Sequence, residues 1–201
     1  VAPRGSMSRS ARVAFASLRL LASLLLLTLL PLLLVLGLGV LVSMGRPVLF
    51  RQRRAGREGR DFTLLKLRSM RDAVGPDGQP LPDEDRVTAF GRFLRRSRLD
   101  ELPGLWNVAA GDMTFVGPRP LLPETIAALG ARGAARGRVR PGLTGWSQVN
   151  GNTLLSLDEK IALDLWYVEN ASPLLDLRIV ALTLWVMVGG ERRSQAVALA
   201  D

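Results

Sequence analysis

From Leu20 to Gly45 the chain runs for 26 residues without a charge, LLASLLLLTLLPLLLVLGLGVLVSMG, and contains a single proline, Pro31. As one straight helix the run reaches about 39 Å at ~1.5 Å per residue, enough to cross a hydrocarbon core of ~30 Å. Its flanks contradict a simple span. Arg9, Arg12 and Arg19 precede it and Arg46, Arg51, Arg53, Arg54 and Arg57 follow it, so positive charge marks both ends as cytoplasmic. Pro31 removes a helix hydrogen bond and clashes with the preceding turn, dividing the run into arms of 11 and 14 residues. The pattern therefore predicts a re-entrant helix-break-helix over residues 7–46, entering and leaving on one face, with one kinked spanning helix as the alternative. Carbonyls freed at the bend need partners, and the hydroxyls of Ser23 and Thr28 are the candidates. The first six residues, VAPRGS, read as an expression remnant ahead of Met7. A cleaved signal peptide does not fit a run this long with no small-residue cleavage site at its end.

Residues 47–201 read as a compact, mostly helical cytoplasmic domain. Two apolar-rich runs around Gly56–Gly59 predict a small β-hairpin. The Gly-, Pro- and Asp-rich RDAVGPDGQPLPDEDR predicts an exposed loop. Val87, Phe90, Phe93 and Leu94 recur at helical spacing, in a helix ending near Arg98. A second helix is expected to start at Asp100 as N-cap, with Leu102, Leu105, Trp106 and Ala109 on its apolar side before Gly111. Ser156 and Glu159 form a capping-box pattern ahead of a helix whose stripe is Ile161, Leu165 and Val168. The closing IVALTLWVMVGG is too short to span and predicts a core or interfacial helix. The fold class expected is mainly α with a small β-hairpin.

Composition narrows the chemistry. The chain has no histidine and no cysteine, which excludes Ser-His-Asp and Cys-His devices, zinc sites of thiolate or imidazole, and disulfides. A metal must be held by oxygen, most simply as magnesium. Net charge is +9, yet residues 1–60 alone carry ten arginines against Glu58, and residues 61–201 balance. The basic excess belongs to the flanks of the apolar run. Nucleic-acid binding accounts poorly for such a placement, whereas contact with membrane lipids follows from it.

Against this background the stretch RRSRLDELPGLWN places Asp100 and Glu101 side by side after Arg95, Arg96 and Arg98. A helix N-terminus keeps a carboxylate ionised and also welcomes phosphate. In such a place an aspartate can attack phosphorus while the adjacent glutamate holds magnesium; an ordinary N-cap followed by a dipole-complementing glutamate is the plainer reading of the same spacing. In GDMTFVGPRP, Pro118 and Pro120 clamp the backbone around Arg119, a rigid arginine suited to bidentate phosphate contact. Arg140, in the turn RPGLTGW, joins Pro118 and Pro120 as a substrate-side candidate. Trp146 reads as core. Lys66 is one of only two lysines.

These segments in order, with FTLLKLRSM, RRSRLDELPGLWNVAAGDMTFVGPRP, RPGLTGWSQVNG and DLWYVEN, closely resemble the monotopic phosphoglycosyl transferases, also called bacterial sugar transferases. The resemblance covers about Arg12 to Val188 and looks like a small, catalytic-domain-only form. It implies transfer of a phospho-sugar from a UDP-sugar to polyprenyl phosphate with release of UMP, at the cytoplasmic face of the bacterial inner membrane. It also implies Asp100 as nucleophile, Glu101 as magnesium-binding partner, Arg119 as a phosphate-binding arginine, and Lys66 and Arg95 as basic active-site residues. Ala22, Gly104 and Asn152 depart from the family's usual aspartate, glutamine and arginine. A non-catalytic scaffold that binds anionic lipid is the competing function, and self-association as a homodimer is left open.

Overall fold

The computed structural model of the protein describes residues 9–79 and 81–193. Residues 1–6, read above as an expression remnant, and Met7 lie outside that range. Helix α1 (Arg9–Thr28) and helix α2 (Leu30–Met44) follow one another across a 60° bend at Leu29. Pro31 stands in the first turn of α2, where its missing N–H is tolerated. The arms differ from the expected 11 and 14 residues because α1 begins at Arg9 and carries Arg12 and Arg19 within it. The Ser23 hydroxyl donates to the Arg19 carbonyl, 2.9 Å away in its own helix, and so does not serve the bend. Among the described residues no single helix is long and apolar enough to cross a membrane; the bent pair passes that test only together.

The hairpin forms as expected, from β1 (Leu49–Ala55) and antiparallel β2 (Asp61–Leu67), with Phe50 opposite Lys66 and Arg54 opposite Phe62. Inside the expected loop a short helix, α3 (Asp83–Arg86), precedes α4 (Ala89–Ser97), which Thr88 caps by accepting from the Gly91 amide. Helix α5 (Gly104–Ala110), strand β3 (Thr114–Val116), helices α6 (Pro123–Ala128) and α7 (Ala131–Arg136) and strand β4 (Gly142–Thr144) follow. Strands β3 and β4 pair in parallel, Val116 beside Thr144. Gly142 must lack a side chain, since a Cβ there would stand 2.1 Å from the Gly117 nitrogen. The chain closes with α8 (Trp146–Val149), α9 (Leu157–Asn170) and α10 (Pro173–Gly189).

Three apolar clusters hold these elements. Ala22 of α1 joins Phe62, Leu64, Val108 and Met113; Leu36 and Val40 of α2 join Leu67 and Leu94; Val116, Trp146, Leu163, Tyr167 and Ile179 form the third. Trp146 is core as expected, stacked 5.2 Å from Trp166. The capping box of α9 is present in full. Its buried face, however, is Ile161, Leu163, Asp164 and Tyr167 rather than Ile161, Leu165 and Val168. A polar residue turns inward because the Asp164 carboxylate meets Arg136, 2.7 Å away and equally buried.

Candidate active site

The acidic pair occupies a turn built by its neighbours. Helix α4 ends at Arg98, a non-glycine residue in the left-handed region (φ 55°). The chain then makes a single 3-10 turn, Leu99–Glu101. Asp100 is therefore not the N-cap expected of it: α5 begins at Gly104, after Pro103, with no side-chain cap. Asp100 is 9% exposed, and Trp106, expected on the apolar side of α5, is 57% exposed. Glu101 sits in a half-buried position rather than at an open helix start.

Basic residues reach this turn from β2, from α4 and from the loop after β3. Asn107 of α5 accepts from the Leu65 amide at 3.1 Å and donates to the Thr63 carbonyl at 2.8 Å. Its side chain thereby acts as a third strand against β2 and sets Lys66 opposite the turn. Lys66 Nζ lies 2.6 Å from Glu101 Oε1, and Arg119 Nη2 lies 3.0 Å from the same oxygen. Helix α4 approaches the end of β2 so closely that a Cβ on Gly91 would stand 1.9 Å from the Ser69 carbonyl oxygen. That approach lets Arg95 Nε donate to Ser69 Oγ at 2.9 Å.

The two acids consequently differ in kind. Glu101 is clamped by two cations, whereas among the described residues no donor hydrogen-bonds the Asp100 carboxylate. Burial pushes Glu101 upward, but the charges of Arg119 and Lys66 outweigh it and hold the carboxyl at about 2. Burial and the neighbouring Glu101 charge push Asp100 up, against the pull of Lys66, Arg119 and Arg95. Lys66 is pushed down by burial in spite of its pair with Glu101. Two adjacent carboxylates whose environments drive them in opposite directions are suited to different chemical roles.

All five of these residues line one open cavity of about 520 Å3, with Arg54, Gln52, Arg98, Asn152, Thr153 and Glu191. Pro118, Pro120 and Arg140 are not on its wall. Pro118 and Pro120 frame the turn that aims Arg119 inward. Arg140 turns the other way: its Nε donates to the Gly111 carbonyl at 3.1 Å and its guanidinium covers the Phe15 ring at 3.8 Å, a contact between α1 and the end of α5. Arg54 was not singled out by the sequence, yet it lines the cavity with its Nε buried and unpartnered. Burial and the Arg119 charge both push it down. The available signal was strand alternation, since Phe50, Gln52 and Arg54 share the face of the hairpin that carries Lys66. Glu191, also unanticipated, accepts from Arg98 at 2.9 Å and from the Thr153 amide at 3.1 Å. Asn152, a departure from the family pattern, donates to the same carboxylate.

Residues 11–190 match the family model of the bacterial sugar transferases. The chain is 47% identical over 145 residues to the uncharacterized sugar transferase EpsL of Bacillus subtilis, covering 72% of each protein. It is 43% identical over 182 residues to a UDP-glucose:undecaprenyl-phosphate glucose-1-phosphate transferase of Xanthomonas campestris, and 39% identical over 178 residues to one of Escherichia coli. Those two alignments cover 85% and 83% of this chain but only 38% of each relative.

Proposed function

This chain belongs to the bacterial sugar transferase family, and we propose that it transfers a sugar phosphate from a UDP-sugar to polyprenyl phosphate. The observation that carries the reading is the division of labour at the turn: a buried Asp100, unpaired among the described residues, beside a Glu101 held by Lys66 and Arg119. An Asp100 oxygen attacks the β-phosphorus; the bond from that phosphorus to the oxygen bridging the two phosphates breaks, and UMP leaves with that oxygen. A phosphate oxygen of the polyprenyl carrier then attacks the same phosphorus and displaces the Asp100 carboxylate, giving the diphosphate-linked sugar. Arg119, Lys66 and Arg95 offset charge on the phosphate oxygens in both steps, and Arg54 is a further cation on the same wall. The relatives' names, which specify undecaprenyl phosphate and UDP-glucose, support the substrate classes.

Magnesium is part of the proposal. Among the described residues no group of three or more acids could hold a metal, but magnesium ordinarily binds one or two carboxylates, several waters and the substrate's own phosphates. Glu101 Oε2 takes no part in either ion pair and is the oxygen suited to it. The ion would supply charge neutralisation at the phosphates.

The bent pair α1–α2 is proposed to enter the cytoplasmic face of the bacterial inner membrane and return. Support comes from arginines on both flanks, the 60° bend, and exposed Leu34, Val35, Leu38 and Val42. Helix α10 adds exposed Leu174, Leu177, Leu184 and Trp185, suited to lying in the interface. The test is UMP release across a panel of UDP-sugars with polyprenyl phosphate and magnesium, combined with mass mapping of the trapped adduct. A phospho-sugar on Asp100 is the result expected; an adduct on another residue overturns the assignment.

A further inference from the structure

Arg119 lies between two prolines, and neither Pro118 nor Pro120 has an amide hydrogen. The turn therefore has little means of fixing itself, and its three consecutive carbonyls are held from elsewhere. The Pro118 carbonyl accepts from the Gly142 amide at 3.0 Å. The Arg119 carbonyl accepts from Arg136 Nη2, and the Pro120 carbonyl from Arg54 Nη1 at 3.2 Å.

Of these holds the second is the costliest to build. Arg136, the last residue of α7, is 5% exposed and Asp164 of α9 is 1% exposed. Arg136 Nε donates to Asp164 Oδ2 at 2.8 Å, and Ser147 of α8 donates to Asp164 Oδ1 at 2.7 Å. Neither residue lines the cavity of the acidic pair. A buried ion pair is a weak source of stability compared with apolar residues of the same volume. Here it has a geometric use, because Arg136 Nη2, 2.7 Å from Asp164 Oδ2, also donates to the backbone carbonyl of the residue that points at Glu101.

We infer that Arg136 and Asp164, supported by Ser147, are positioning residues for Arg119, setting where its guanidinium stands for the phosphates. The inference rests on the reading of Arg119 as a phosphate contact. Asp164→Asn keeps the shape of the side chain but removes the charge that orients Arg136. A displacement of about 1 Å at a positioned group costs on the order of 10²-fold in rate, and a partial one less.

The experiment is a double-mutant cycle in full-length protein in lipid nanodiscs, read as kcat/KM for the most active UDP-sugar of the panel, with Tm in parallel. Asp164→Asn is expected to lower kcat/KM on the order of tenfold or more when Arg119 is present. In an Arg119→Ala background it is expected to change kcat/KM by less than about twofold while lowering Tm as much as before. The same loss of kcat/KM in both backgrounds overturns the inference, since the pair would then act only through the fold. Ser147→Ala leaves the ion pair in place and serves if Asp164→Asn does not accumulate. A smaller loss that disappears in the Arg119→Ala background supports positioning; no loss, or one that persists there, overturns it. An Arg119→Ala protein as active as the parent overturns instead the underlying reading of Arg119.

Discussion

In α2 the side chains Leu34, Val35, Leu38 and Val42 are each more than half exposed, while at the turn after α4 an aspartate is nine-tenths buried. Water imposes the opposite arrangement on an ordinary domain, with leucine inside and carboxylate outside. Both inversions have a physical reason, and the reasons differ. The arm is turned inside out by the apolar solvent proposed around it. The turn is turned inside out by neighbours: Lys66 and Arg119 neutralise Glu101, and among the described residues neither pairs with Asp100. What the comparison teaches is that exposed leucine and buried acid are both out of place in water, and that each is accounted for by a different proposed partner, lipid in one region and substrate phosphate in the other.

The largest expected effect breaks the comparison at the turn. Asp100→Asn should lower transfer by at least on the order of 10³-fold and abolish the covalent adduct, because an amide is a poor nucleophile. The measurement is UMP release with mass mapping, and substantial retained turnover would remove Asp100 from its proposed role. In the parent protein, rate should fall on the acid side as Asp100, whose carboxyl is pushed up by burial, takes up a proton.

Glu101→Gln should cost on the order of 10²-fold and weaken the response to magnesium, read from rate against magnesium concentration. It also has a signature in stability. A carboxyl held at about 2 in the fold against 4.5 ordinarily contributes stability that is fully present above pH 4.5 and lost as pH falls toward 2. Tm against pH should therefore be flatter for Glu101→Gln than for the parent over that window; identical curves would show that the clamp does not govern the ionisation.

Pro31→Ala sharpens the other half. Restoring the missing amide donor favours one continuous helix long enough to span, so the N-terminus should cross in part of the population and activity should fall without vanishing. Single cysteines in this cysteine-free chain, Arg9→Cys and Arg51→Cys, report the side of each flank to an impermeant thiol reagent. Labelling of both from the cytoplasmic side in the parent is expected; Arg9→Cys labelling from the periplasm would favour a kinked span. The smallest effect belongs to neither region: Ser156→Ala removes the capping box of α9 and should cost about 1 kcal/mol, seen as a modest drop in Tm at unchanged kcat.

Local pattern made much of this legible. The uncharged run with its proline, the hairpin, the existence of α4 and the Ser156 cap each depend on residues within a few positions of one another. Val87, however, lies ahead of α4 in extended backbone and Phe93 is exposed, so that of the expected stripe only Phe90 and Leu94 face the core. The side chains that escaped are set by distant partners. Asp164 reads as solvent-facing until α7 brings Arg136 to it, and Arg140 reads as a cavity residue until α1 offers Phe15. Asn107 and Glu191 reach across 42 and 38 or more positions, a separation no periodicity reports. Asp100 and Glu101 were found together because they are adjacent, but their opposite environments come from Lys66 and Arg119.

Phe15 has a consequence for the whole assembly. Arg140 lies over its ring and Arg19 is 5.9 Å from the same centroid, while Arg19 Nε donates to the Ala109 carbonyl at 2.8 Å and Arg140 holds Gly111. The first arm is thus riveted to the far end of the short helix that follows the acidic turn. One residue inserted between Phe15 and Ala22 would swing the rest of α1 by about 100° and lift it by ~1.5 Å, pulling Ala22 out of its apolar seat or Phe15 from between its arginines. If the arm lies in lipid as proposed, the height of the acidic turn above the bilayer becomes a measured length, read off the arm in whole residues, and whatever raises or lowers the arm raises or lowers the turn with it.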